Sequence, residues 1–161
     1  LKVEQKFRYE LVEKIAVSLP KKYKDKSFVV MDGNFVCVDP YLGTPYHLLS
    51  HVRYSKLKII KKKYSKFASK YNQVLIDTKS SNKKLSNFDK FITDGSKYLP
   101  FLKKAKYIFS YYVVRTLRPN VELTAERTNL TQVINNKVLT VLAGKWNTCV
   151  YEAKKIEKLL Y

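Results

Sequence analysis

The stretch from His51 to Gln73 constrains the fold most, because its apolar residues are periodic while its charges are unbalanced. It contains eight lysines and arginines and no acidic residue. Apolar and aromatic side chains recur in it at steps of four and three residues, which is typical of one face of an α-helix. The stripe starts just before this stretch and consists of Leu49, Leu57, Ile60, Tyr64, Phe67 and Tyr71, interrupted by Arg53. The pattern predicts a helix over Tyr46–Lys70, with one side in the core and cationic side chains on its other faces.

The same periodicity indicates helices elsewhere in the chain. Pro20 ends the first, and Pro100 suits the first turn of a later one. The predicted segments are Leu1–Leu19, Asn87–Ile92, Pro100–Leu117, Leu130–Leu142 and Lys145–Tyr161.

A β-hairpin is predicted between Phe28 and Pro40, where two runs rich in β-branched residues flank Asp32 and Gly33. The expected fold class is therefore α+β and mainly α-helical, with one β-hairpin at about residues 28–39. The expected organisation is a single basic domain, 1–161. An exposed basic loop at 78–87 would join an N-terminal helix-hairpin-helix part to a C-terminal helical part.

The charge balance indicates a polyanionic partner. The chain has 32 lysines and arginines against 13 acidic residues, for a formal net charge of +19, and its 45% hydrophobic content is typical of a folded protein. Such an excess of one sign repels itself in a compact state. Most of the cations are lysines, which favours contact with a phosphate backbone over base recognition. An AT-rich coding genome also produces a lysine-rich chain. The alternative is therefore a charged protein that has no polyanionic partner.

The candidate nucleic-acid contacts lie in the cationic stretch and in the basic loop. Tyr54 would offer a ring to an unpaired base. The predicted contact residues are Arg53, Tyr54, Lys56, Lys58, Lys61, Lys62, Lys63, Lys66, Lys70, Lys79, Lys83 and Lys84.

No catalytic, metal or cofactor site is predicted. The sequence contains no Gly-rich phosphate loop and no nucleophile motif, and it has only four glycines. His47 and His51 are spaced to share a helix face, but a zinc site needs more ligands than these two. Cys37 and Cys149 are far apart in sequence, which favours two free thiols.

One segment resembles a known enzyme family. VVMDGNFVCVDPYL, from Val29 to Leu42, is similar to the hairpin and Asp-Pro segment of some viral poly(A) polymerases and related nucleotidyltransferases. The GS string and the paired metal-binding aspartates of that family are missing, and Asp32 or Asp39 alone could not hold two magnesium ions. The resemblance therefore implies a fragment or a non-catalytic relative.

These observations lead us to expect a non-catalytic nucleic-acid-binding protein. Our first choice is an RNA-binding structural component of a ribonucleoprotein of the organellar ribosome type, with other proteins of that particle as partners. The alternatives are a viral DNA-binding or nucleocapsid-like protein, a poly(A) polymerase-like accessory subunit, and a protein that binds an anionic membrane surface. No apolar run approaches the ~18 residues of a membrane span. The expected location is intracellular, in an organellar particle or a virion.

Overall fold

The computed structural model describes residues 6–31, 33, 35–119, 129–134, 137–142 and 144–160, and this part of the chain is mainly β-structure. The strands are β1 (Phe7–Ser18), β2 (Phe28–Val30), β3 (Val36–Pro40), β4 (His47–His51), β5 (Lys56–Lys62), β6 (Lys79–Ser80), β7 (Lys106–Leu117), β8 (Leu130–Ile134) and β9 (Val138–Leu142). The α-helices are α1 (Asn72–Asp77), α2 (Phe88–Gly95) and α3 (Cys149–Leu160). Short 3-10 turns cover Lys21–Tyr23, Ser69–Tyr71, Lys83–Leu85, Pro100–Lys104 and Trp146–Thr148.

Seven strands form one sheet, in which β1 is central. The order is β2-β3-β4-β1-β7-β6, and β5 also pairs with β1. The pairs β1–β4, β2–β3, β3–β4 and β6–β7 are antiparallel. The register places Leu49 opposite both Ile15 and Val38, so these three side chains share one face of the sheet. Separately, β8 and β9 form an antiparallel hairpin.

The chain divides into two compact units. The larger comprises Tyr9–Ile60 and Ser65–Arg115. The smaller comprises the described residues of Leu1–Arg8, Lys61–Tyr64 and Thr116–Tyr161.

Two apolar clusters form the core of the larger unit. Ile15, Val38 and Leu49 pack with Phe91 of α2 and with Leu102, so α2 and the Pro100–Lys104 turn cover this face of the sheet. The second cluster consists of Leu11, Phe67, Val74 and Tyr112, and Leu57, Tyr71 and Leu85 pack against it.

The prediction of a mainly α-helical fold class is wrong. The two longest segments that were wrongly predicted as helices lie in the N-terminal half. The segment predicted as a helix over Leu1–Leu19 is β1 within the described residues. Side chains on both faces of β1 are buried, so the strand lacks the alternation that marks a half-buried strand. The segment predicted as a helix over Tyr46–Lys70 holds β4 and β5 instead. The pairing of β1 with β4, β5 and β7 overrides the helical spacing in both cases.

Two C-terminal helix predictions are also wrong. Pro100–Leu117 forms a 3-10 turn followed by β7, and the described residues of Leu130–Leu142 form β8 and β9. These segments are rich in β-branched and aromatic residues, which fit a pleated surface. The helices predicted at Asn87–Ile92 and Lys145–Tyr161 correspond to α2 and α3.

The hairpin prediction agrees with the pairing of β2 and β3. Gly33 in their connection has φ +93°, a conformation that favours glycine. Asp32 lies outside the described residues. The predicted basic loop at 78–87 contains β6 and the Lys83–Leu85 turn.

Candidate nucleic-acid interface

A four-residue excursion, Val52–Ser55, interrupts the strand that runs beside β1. The chain leaves after β4 and returns as β5, and both strands pair with β1. The backbone N–H of Ser55 donates to the carbonyl of His51 at 3.0 Å, which closes the excursion. The N–H of Glu13 donates to the carbonyl of Ser55 at 2.7 Å, so pairing with β1 resumes there.

His51 holds the excursion in place from inside the core. Its side chain is buried, and its Nδ1 accepts the backbone N–H groups of Arg53 at 3.1 Å and Tyr54 at 3.3 Å. An Nδ1 that accepts both bonds carries no proton, so Nε2 is the protonated nitrogen and donates to Asp94 Oδ2 at 2.9 Å. Hydrogen bonds from Lys97 and then from His51 hold the pKa of Asp94 below its ordinary value. The excursion is therefore anchored to α2.

The excursion forms one wall of the candidate site, and the segment that precedes α2 forms a second wall. Asn82 Oδ1 accepts the backbone N–H of Lys84 at 3.1 Å and orders the 3-10 turn there. Farther along, Asn87 Nδ2 donates to the carbonyl of Tyr54 at 2.9 Å, and the Asn87 N–H donates to Glu13 Oε2 at 3.0 Å. Asn87 thus ties this wall to the excursion and to β1.

These segments and the Ser69–Tyr71 turn surround a pocket of about 360 Å³ within the larger unit. Its lining residues are Arg53, Tyr54, Lys56, Leu57, Lys70, Tyr71, Lys84, Leu85, Ser86, Asn87 and Lys90. We call this feature the basic pocket.

The basic pocket is strongly cationic. Five of its lining residues are lysine or arginine, and no carboxylate lines it among the described residues. The Arg53 guanidinium lies 5.5 Å from the centre of the Tyr54 ring, and Lys70 Nζ lies 5.0 Å from that of Tyr71. Two cations are thus placed beside aromatic rings, and Lys56, Lys84 and Lys90 form no ion pair within the described residues.

Glu13 is a buried acid behind the second wall. Its Oε1 accepts the Ser110 hydroxyl at 2.5 Å, and its Oε2 accepts the N–H of Asn87 at 3.0 Å. Burial raises the pKa of Glu13 above its ordinary value of 4.5, and the hydrogen bonds only partly oppose this effect. The protonation state of Glu13 is therefore coupled to folding.

We expect Glu13→Gln to remove a pH dependence of stability. A raised folded-state pKa means that the folded protein binds the proton more tightly than the unfolded chain does. The stability that Glu13 contributes is then fully present below about pH 4.5 and is lost as the pH rises through its folded pKa. Urea unfolding from pH 4 to 8 should show the wild type losing stability relative to Glu13→Gln over that interval.

The companion variant for this experiment is Ser110→Ala. The hydroxyl of Ser110 lowers the pKa of Glu13, so its removal should extend the interval of pH dependence upward. Parallel stability curves for the wild type and Glu13→Gln would contradict the coupling.

The basic pocket brings together five of the predicted contact residues. They are Arg53, Tyr54, Lys56, Lys70 and Lys84. A helix was predicted for the first four, but they reach the pocket from the excursion, from the start of β5 and from a 3-10 turn.

The other predicted contact residues lie outside the pocket. Lys58 and Lys66 are exposed in the larger unit, whereas the segment Lys61–Lys63 belongs to the smaller unit. Lys79 Nζ lies 3.9 Å from the centre of the Phe109 ring. Lys83 is paired with Asp89 at 2.7 Å.

Sequence reasoning missed Lys90 as a pocket residue. It lies in the first turn of α2, three residues after Asn87, and its backbone N–H donates to the Asn87 carbonyl at 2.9 Å. The available signal was the spacing, because a lysine one turn into a predicted helix lies close to the residue that precedes the helix. The role of Asn87 had no such signal, since it depends on contacts with residues distant in sequence.

Other candidate features do not assemble into a site. Within the part of the chain that the structure describes, no three histidine, cysteine or acidic side chains come together as metal ligands. Cys37 and Cys149 are free. Asp39 Oδ1 accepts the hydroxyl of Ser27 at 2.5 Å. Across the same described residues, no helix is long and apolar enough to cross a membrane.

Comparisons with known proteins identify no relative of this chain. No family model matches it, and neither the curated proteins nor the solved structures give a significant match.

Proposed function

We propose that this protein binds nucleic acid through its phosphate groups, with the basic pocket as the principal contact. One observation carries the proposal: five cationic side chains and two tyrosines surround one concavity that has no carboxylate in its described lining. Charge-assisted hydrogen bonds to phosphate are about twice as strong as neutral ones. A concave group of cations also concentrates the field on an incoming anion.

The shape of the pocket favours a single-stranded partner. Duplex DNA is read by a convex element that enters a groove, whereas this contact surface is concave. Tyr54 and Tyr71 are half-buried, so part of each ring stays open to an unpaired base. Base–aromatic stacking contributes about 1–3 kcal/mol per base in single-strand binding. RNA stays our first choice over DNA, because unpaired and looped bases are the usual targets in RNA recognition.

The anionic membrane surface is the less favoured partner. Interfacial binding depends on an apolar face that enters the lipid beside the cations. In the basic pocket, Leu57 and Leu85 pack against the interior cluster and so leave little apolar surface for lipid.

The test is a salt titration of binding to single-stranded RNA, single-stranded DNA, duplex DNA and anionic vesicles. With three to five phosphates contacted by the whole protein, log Kobs for a single strand should fall with log salt with a slope of about −2 to −3.5. Affinity for single-stranded RNA should exceed that for duplex DNA. Negligible or salt-insensitive binding to every nucleic acid would refute the proposal, and binding to vesicles alone would assign the pocket to lipid headgroups.

A further inference from the structure

We propose that the basic pocket recognises a terminal phosphate monoester of a nucleic-acid strand rather than the phosphodiesters of its interior. This inference rests on the proposed function and names the chemical group that the pocket selects.

The charge of the pocket matches a dianion. Arg53, Lys56, Lys70, Lys84 and Lys90 form no ion pair with an acidic side chain in the described part of the chain. A phosphate monoester carries a charge of about −1.5 to −2 at pH 7 and three acceptor oxygens. An internal phosphodiester carries a single negative charge and two free oxygens. The monoester therefore uses more of the converging lysines than an internal phosphate can.

The dimensions of the pocket match one terminal nucleotide. Its volume of about 360 Å³ lies at the small end of the range for small-molecule sites, roughly 300–1,000 Å³. Two of its walls are joined by the hydrogen bond from Asn87 to the Tyr54 carbonyl. A strand that passes through a pocket needs two openings, whereas a strand end needs only one.

The lining also suits the sugar and base attached to such a phosphate. Tyr54 and Tyr71 are half-buried, and each has a cation beside its ring. A terminal base can stack on a tyrosine while its phosphate lies among the lysines.

The experiment compares three single-stranded RNA oligonucleotides of identical sequence, carrying a 5′-phosphate, a 3′-phosphate or hydroxyls at both ends. Affinities are measured by fluorescence polarisation at fixed salt with the full chain. We expect one of the two phosphorylated strands to bind at least tenfold more tightly than the hydroxyl strand, and the better strand identifies the end that is recognised.

Matched variants separate pocket recognition from general attraction. Lys84→Gln with Lys90→Gln should abolish the preference for the phosphorylated end. Lys103→Gln with Lys104→Gln, at two exposed lysines of the Pro100–Lys104 turn that do not line the pocket, should retain it. Equal affinity for all three strands, with weaker binding by the pocket variant, would overturn the inference and leave the proposed function standing. A preference that survives in the pocket variant would also overturn it. Absence of binding to all three would overturn both.

Discussion

Replacing Lys56, Lys84 and Lys90 together by Glu is expected to weaken binding of single-stranded RNA by at least about 100-fold at low salt. These lysines line the basic pocket from β5, from the 3-10 turn before α2 and from α2 itself. Each reversal removes a charge-assisted contact and adds repulsion toward phosphate. The slope of log Kobs against log salt should become shallower, since the contact of these lysines with phosphate is lost.

The control carries the same change in net charge. Lys21, Lys24 and Lys26 are exposed near the first 3-10 turn and do not line the pocket. Their joint replacement by Glu should reduce affinity far less, through the long-range field alone. Circular dichroism and urea unfolding establish that both variants are folded. Equal losses in the two variants would show that net charge, and not the pocket, governs binding.

His51→Ala is expected to lower the free energy of unfolding by about 3 kcal/mol. The imidazole is buried, and its removal leaves the carboxylate of Asp94 without one of its partners. It also leaves the backbone N–H groups of Arg53 and Tyr54 without their acceptor. Urea unfolding at pH 7 measures the total effect.

Two nearly isosteric variants separate the two roles of His51. In His51→Asn, the side-chain oxygen can replace Nδ1 as acceptor, but the amide is too short to reach Asp94. In His51→Gln, the amide nitrogen can replace Nε2 as donor to Asp94, but the acceptor near Arg53 is lost. We expect both variants to be less stable than the wild type, by about 1–3 kcal/mol each. RNA affinity should fall in His51→Gln and be largely kept in His51→Asn. The opposite ranking would show that the excursion does not need its imidazole acceptor.

The errors in the predicted fold have a common physical origin. A helix was expected over β1 because its apolar residues fit steps of three and four. The strand also contains two acids, Glu10 and Glu13. Both acids are buried: Glu10 pairs with Arg115, and Glu13 bonds to Ser110 and Asn87. Partners about 70 to 105 residues away make these acids interior groups. Periodicity within a short window carries no information about such pairing.

Predictions from short sequence windows were correct where interactions between residues close in sequence determine the structure. The connection between β2 and β3 follows from the conformational freedom of Gly33, and α2 and α3 are short segments whose own apolar spacing suffices. Part of the candidate site could be predicted from the sequence in the same way. Charge counting found Arg53, Lys56, Lys70 and Lys84 without knowing their fold. Their convergence on one pocket depends on the pairing of β4 and β5 with β1, which the sequence pattern did not show.

The excursion at Val52–Ser55 leaves and rejoins the same neighbouring strand. Its length can therefore change without shifting the register of β4 against Ile15 or the return to Glu13. Insertions within a register-neutral loop are tolerated more readily than insertions within a paired strand. The position is thus a natural point for diversification. Loop libraries between His51 and Ser55 that keep the bonds of Arg53 and Tyr54 to His51 and Asn87 would give this scaffold new ligand preferences while the sheet keeps its architecture.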